Sequence, residues 1–94
     1  MTSKERAFLR SKAHPLEPVL HIGKEGASPE VTAAVEEALA ARELIKLGVQ
    51  KNCEDDVREI AEAVAERTGS EVVQVIGKKI VLYRQDWFVS KIQN

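Results

Sequence analysis

The chain is short of most of the residues that chemistry usually requires. Cys53 is its only cysteine, so no internal disulfide can form, and His14 and His21 stand apart, with no spacing that suits a zinc site. The plain expectation for Cys53 is a buried or half-buried bystander thiol. Aromatics make up 4% of the residues, namely Phe8, Tyr83, Trp87 and Phe88. The paired strand aromatics on which an RRM stacks bases are therefore missing. No apolar run approaches the roughly 20 residues needed to span a bilayer, and the polar start Met-Thr-Ser-Lys-Glu-Arg lacks the apolar core of a secretory signal. No membrane partner and a cytoplasmic address are expected. A surplus of charge is also lacking, since the formal net charge is −1. His14 and His21 have no visible nucleophile beside them, and Glu36, Glu37, Glu62 and Glu66 read as solvated helix faces. Neither an enzyme nor a cofactor is expected.

What is present is a distribution. Residues 1 to 24 carry Lys4, Arg6, Arg10, Lys12 and Lys24 against Glu5 and Glu17, a net of +3. Residues 25 to 71 carry five bases against twelve acids, a net of −7, and residues 72 to 94 return to +3 with Lys78, Lys79, Arg84 and Lys91 against Asp86. Such segregation suits one basic face for a polyanion and an acidic remainder turned to solvent. Equally, charge blocks of this kind arise on ordinary surface helices.

With 94 residues, 44% of them hydrophobic and 31% charged, the chain fits one domain with one core. Thr2 and Glu5 have the form of a capping box for a helix from about Ser3 to Ala13, which Pro15 and Pro18 stop. Val19 to Ile22 reads as a strand. Ser28-Pro29 opens a second helix with Val31, Ala34, Val35, Ala38 and Leu39 on one face. Leu44 to Gln50 is a second strand, with Ile45, Leu47 and Val49 on one side. A third helix carries Val57, Ile60, Ala61 and Val64 inward and stops at Gly69. Val72 to Ile76 and Ile80 to Tyr83 flank the turn Gly77-Lys78-Lys79 as a hairpin.

The order α-β-α-β-α-β-β gives an α/β (α+β) fold with a four-stranded mixed sheet packed by helices. Two β-α-β crossovers imply parallel pairing, and the hairpin adds an antiparallel strand. Residues 1 to 84 form the domain. Residues 85 to 94, with Trp87 and Phe88, form a tail that either folds back or stays mobile.

Between the first strand and the second helix lies Gly23-Lys24-Glu25-Gly26. Two glycines let the backbone turn tightly and approach a ligand, the following helix N-terminus favours an anion, and Lys24 adds a full positive charge. A phosphodiester is the natural partner, although Glu25 opposes it and a plain strand-to-helix turn has the same form. The spacing excludes a Walker A loop. On the first helix Arg6 and Arg10 share one side and Lys4 and Lys12 another, flanking Phe8, Leu9 and Ala13. They suit either RNA contact or a solvated amphipathic helix. With parallel strands, Lys78 and Lys79 come to the same sheet edge as Lys24.

The blocks TSKERAFLRSKAH, VLHIGKEG, ARELIKLGVQKNC and VQVIGKKIVLYR, in this order over about residues 2 to 84, resemble the bacterial YhbY-type proteins of the CRM domain family. That resemblance implies a fold like the C-terminal domain of translation initiation factor three and a stand-alone RNA-binding domain. It implies a role in large ribosomal subunit assembly, with 23S rRNA in pre-50S particles as partner. By the same resemblance Gly23, Lys24 and Gly26 are the RNA-contacting loop, extended by Lys4, Arg6, Arg10 and Lys12. The tail departs from the basic ending of bacterial members. The competing expectation is a protein-interaction adaptor that docks on ribosomal proteins through the acidic helices or the Trp87-Phe88 tail. A monomer is expected in either case.

Overall fold

In a computed structural model, residues 1 to 85 are described; the Trp87-Phe88 tail lies outside them. The elements run α1 (Ser3–Ala13), β1 (Leu20–Ile22), α2 (Pro29–Ala41), β2 (Leu44–Val49), α3 (Val57–Thr68), β3 (Glu71–Ile76) and β4 (Lys79–Tyr83). Helix boundaries follow the capping chemistry. Thr2 Oγ1 accepts from Glu5 N while Glu5 Oε1 accepts from Thr2 N, so two of the orphan amides at the start of α1 are satisfied. Ser28 caps α2 with Pro29 at its first position, and Asp56 caps α3. Gly69 ends α3 in the left-handed conformation at φ +65°.

The sheet order is β1-β2-β4-β3. β1 pairs parallel with β2, as the first crossover requires, but β2 and β3 do not pair, which corrects the expectation of a second directly parallel pair. β4 lies between them, antiparallel to both. The reason is burial: Ile80, Val81 and Leu82 are all at most 1% exposed, so β4 needs apolar cover on both faces and takes a central position. β3 becomes an edge strand, with a bulge between Val72 and Gln74.

The alternation of side chains divides the molecule into three layers. Ile45, Leu47 and Val49 of β2 and Ile80 and Leu82 of β4 face α2 and α3, where they join Val35, Leu39, Ile60, Ala61 and Val64 in the main core. On the other face α1 covers Val73 and Val81 with Ala13, and Leu9, Leu44 and Tyr83 pack at the margin. Within α2 the expected inward face holds at Val35 and Leu39, with Val31 and Ala38 half-buried and Ala34 exposed. Phe8 of α1 stays 59% exposed, outside both clusters, with the Lys12 ammonium 5.4 Å from its ring centre.

α1 has a defined direction on the sheet. Its start lies beside Glu71 and Tyr83, with the Met1 amino group 3.9 Å from the Glu71 carboxylate, and its end at Ala13 reaches Val73 and Val81. Arg6 fastens it there, donating to the carbonyls of Val72 at 2.6 Å and Val73 at 3.1 Å, beside the bulge.

Candidate nucleic-acid interface

Three turns meet at one end of the sheet. The first is Gly23 to Gly26, closed by Gly26 N donating to Gly23 O at 3.0 Å, with Lys24 and Glu25 exposed at its tip. Gly26 has φ +62°, a conformation that favours glycine, and a Cβ on it would in addition displace the exposed Asp55 carboxylate. Ser28 N then donates to Gly26 O at 2.9 Å, which leads the chain into the N-terminus of α2.

The second turn follows β2. Gln50 N donates to Ile22 O at 2.8 Å and Cys53 N to Gln50 O at 3.1 Å, leaving Lys51 and Asn52 at an exposed tip. A Cβ on Gly23 would lie 2.8 Å from Gln50 Oε1 and 3.6 Å from Asn52 Oδ1, so this turn rests directly against the glycine loop. The buried Cys53 closes the turn into the main core.

The third turn is the β3–β4 hairpin. Gly77 has φ +56° and Lys78 a negative φ, the pattern of a type II′ turn with glycine first. Val49 N donates to Lys78 O at 2.7 Å, tying the hairpin to the end of β2. Lys78 and Lys79 are thus on the same edge as Lys24, as expected from strand direction. They reach it through β4 pairing with β2, not through β3 pairing with β2.

Lys24, Lys51, Lys78 and Lys79 are all exposed, and none makes an ion pair among the described residues. The N-terminus of α2 adds a partial positive charge. Glu25 and Asp55 oppose this field from within the same cluster. Lys51 went unnoticed in the sequence because it sits in a polar turn; the signal was its place after β2, where a parallel neighbour of β1 must end.

The basic residues of α1 are not gathered with these lysines. Lys4 lines a hollow with Met1, Glu5, Phe8, Tyr83 and Gln85 at the opposite end of the sheet. The β3 strand from Glu71 to Ile76 separates the two ends by roughly 16 Å. Arg6 is half-buried and committed to the β3 carbonyls, and Lys12 sits over Phe8. Arg10, one turn beyond Arg6 on the same side of α1 and therefore nearer the turn end, is exposed. Two further arginines have structural work: Arg67 donates to Ala27 O at 2.6 Å, and Arg84 joins Thr68 O at 2.8 Å to the Glu36 carboxylate at 2.6 Å. The Arg84 guanidinium holds the Glu36 carboxyl below the usual carboxylate range. Among the described residues, no three His, Cys, Asp or Glu side chains are grouped to hold a metal ion.

Comparison with known proteins supplies a context for this arrangement. The CRS1 / YhbY (CRM) domain family matches residues 1 to 84. The probable RNA-binding protein YqeI of Bacillus subtilis is 47% identical over 85 residues, covering 90% of this chain and 88% of that protein. An RNA-binding protein of Haemophilus influenzae is 37% identical over 84 residues, covering 89% of this chain and 85% of its own length. Among solved structures, that of the hypothetical protein SAV1595 from Staphylococcus aureus superposes with a TM-score of 0.79 at 45% identity, over 90% of this chain and 88% of the other.

Proposed function

Since this chain belongs to the CRS1/YhbY (CRM) domain family, we propose that it binds RNA through the turn end of its sheet and acts in assembly of the large ribosomal subunit in the cytoplasm. The observation that carries this reading is the convergence of Lys24, Lys51, Lys78 and Lys79 on three turns at one sheet end, the first and third each hydrogen-bonded to the end of β2, with no carboxylate paired to these lysines among the described residues. Ammonium groups spaced along one rim suit the repeating charge of a phosphodiester backbone. The glycine loop lets a phosphate approach the backbone in front of α2, and Lys24 meets it as a point charge. Arg10 extends the same surface. Of the other bases of α1, Lys4 lies at the far end of the sheet, Arg6 donates to the β3 carbonyls and Lys12 is exposed over Phe8, so the lysine rim with Arg10 makes the first contact. The names of the B. subtilis and H. influenzae relatives support RNA as the ligand class.

Phosphate contacts position an RNA without choosing it, so the rim accounts for affinity and orientation and not for a particular rRNA helix. Affinity for large-subunit rRNA fragments measured against salt tests the proposal. Four phosphate contacts give a log-log slope of roughly −3, and Lys24→Ala removes close to one contact from it. A slope near zero in the parent protein would overturn the phosphate reading. Preferential binding to pre-50S particles over mature subunits checks the assembly role.

A further inference from the structure

Beside the lysine rim, one row of the sheet is left uncovered. His21 of β1 is paired with Gly48 of β2, Gly48 with Lys79 of β4, and Lys79 with Ile76 of β3. Residues directly paired across a sheet present their side chains to the same face. The intervening positions Leu47, Val49 and Ile80 point into the main core, so this row looks out on the face that carries α1. α1 stops short of it. Its last buried residue, Ala13, covers the preceding row at Val81 and Val73, and the Lys46 ammonium, 3.2 Å from His14 O, closes the helix end. Ile76 is 58% exposed, and His21 and Lys79 are exposed as well.

Within the row the imidazole of His21 lies across Gly48. A Cβ on Gly48 would stand 2.7 Å from His21 Nδ1 and 3.1 Å from Cε1, so the ring occupies the place of the missing side chain. Neither ring nitrogen has a hydrogen-bond partner among the described residues. On the next two strands the Lys79 stem and Ile76 add apolar surface in the same row. This surface is flat, partly apolar and open, and it adjoins the lysines of the same three turns. The charge beside it selects a polyanion, and the surface itself suits the π-face of a base more than a phosphate.

We propose that the row His21, Gly48, Lys79 and Ile76 is a platform for unpaired nucleobases of the strand whose phosphates follow the lysine rim, with the His21 ring as stacking surface. The idea rests on the RNA-binding reading and adds to it a preference for single-stranded or looped RNA. Aromatic rings, histidine included, stack on unpaired bases, and such stacking is independent of salt, unlike a phosphate contact. The two contributions therefore separate in one experiment.

The probes are a short oligoadenylate and an RNA duplex of the same length, titrated at several salt concentrations. His21→Ala is expected to weaken oligoadenylate binding about tenfold with an unchanged salt slope, and His21→Phe to hold it within about twofold of the parent. Ile76→Ala gives a smaller loss of the same kind, and duplex binding is little affected by any of the three. Both positions are exposed, and coincident thermal unfolding with the parent verifies the fold. Unchanged oligoadenylate affinity in both His21→Ala and Ile76→Ala, with Lys24→Ala still flattening the slope, would overturn the platform and leave the phosphate reading standing. A His21→Ala loss that came with a flatter slope, or that His21→Phe failed to rescue, would overturn stacking. Salt-independent binding by the parent would remove the phosphate reading and the platform with it.

Discussion

Gly26 and Gly23 frame the same loop yet carry different constraints. Gly26 has φ +62° and the Asp55 carboxylate where a Cβ would go, whereas Gly23 has an ordinary φ and is approached closely by the end of the Gln50 side chain, with Asn52 at ordinary contact distance. Gly26→Ala is therefore expected to cost about 1 to 3 kcal/mol, seen as a drop of several degrees in Tm, with Gly23→Ala clearly milder. Asp55→Ala removes both the collision and a negative charge beside Lys24. It should tighten RNA binding at low salt and recover part of the stability lost by Gly26→Ala, so the two changes are non-additive in thermal melts. Equal losses for the two glycine variants would mean that neither φ nor the Asp55 contact governs the loop.

At the scale of elements, α1 is attached to the sheet by Arg6 as much as by its apolar residues. Val72 and Val73 sit at the bulge of the edge strand β3, and one guanidinium nitrogen of Arg6 donates to both of their carbonyls. Arg6→Met is expected to lower stability by about 1.5 to 3 kcal/mol in urea unfolding while leaving the salt slope of RNA binding unchanged. Tyr83, at the margin of the α1 layer, has its phenol raised above 10.0, first by burial and then by Glu43, Glu5 and Glu71. A raised folded value means that its contribution to stability is intact below the unfolded phenol range and is lost as pH rises through the folded value. Because Tyr83 is the sole tyrosine, absorbance titration should give a midpoint above that of the urea-unfolded chain, and Tyr83→Phe should flatten the alkaline fall in stability.

Every helix and strand in the described region was legible in the sequence, because Thr2 with Glu5, Ser28-Pro29 and Gly69 mark ends by local hydrogen bonding and φ, and apolar periodicity marks faces. The order of strands was not read, since a hairpin fixes only its own pairing. Ile80-Val81-Leu82 did hold the clue, as three successive apolar residues demand cover on both faces and hence a central strand. The site was partly legible: Gly23, Lys24, Gly26, Lys78 and Lys79 meet at one edge. Lys51 was signalled only by its place after β2, and the His21–Gly48 contact depends on register and could not be read from spacing. The structural part of Arg6 was not legible, because a basic residue near a helix start looks identical whether it meets solvent, RNA or a carbonyl on a strand still unplaced.

For the whole molecule, net charge is a poor guide because the charges are sorted by position. Half of the twelve acids of residues 25 to 71 lie on α2 and α3, the layer behind the sheet, while the loops of the turn end hold Glu25, Glu54, Asp55 and Asp56 as well as its lysines; a total of −1 conceals this placement. The fold thus has a polar axis along the strands, with the glycine loop at one end and the Lys4 and Glu71 hollow at the other. The most direct test of this account is an amide-resolved NMR titration of the protein with a large-subunit rRNA fragment. Shifts concentrated at residues 21 to 26, 48 to 52 and 76 to 79, with Arg10 joining them, are the predicted result. Shifts confined to the outer faces of α2 and α3, or to the hollow at the far end, would contradict it.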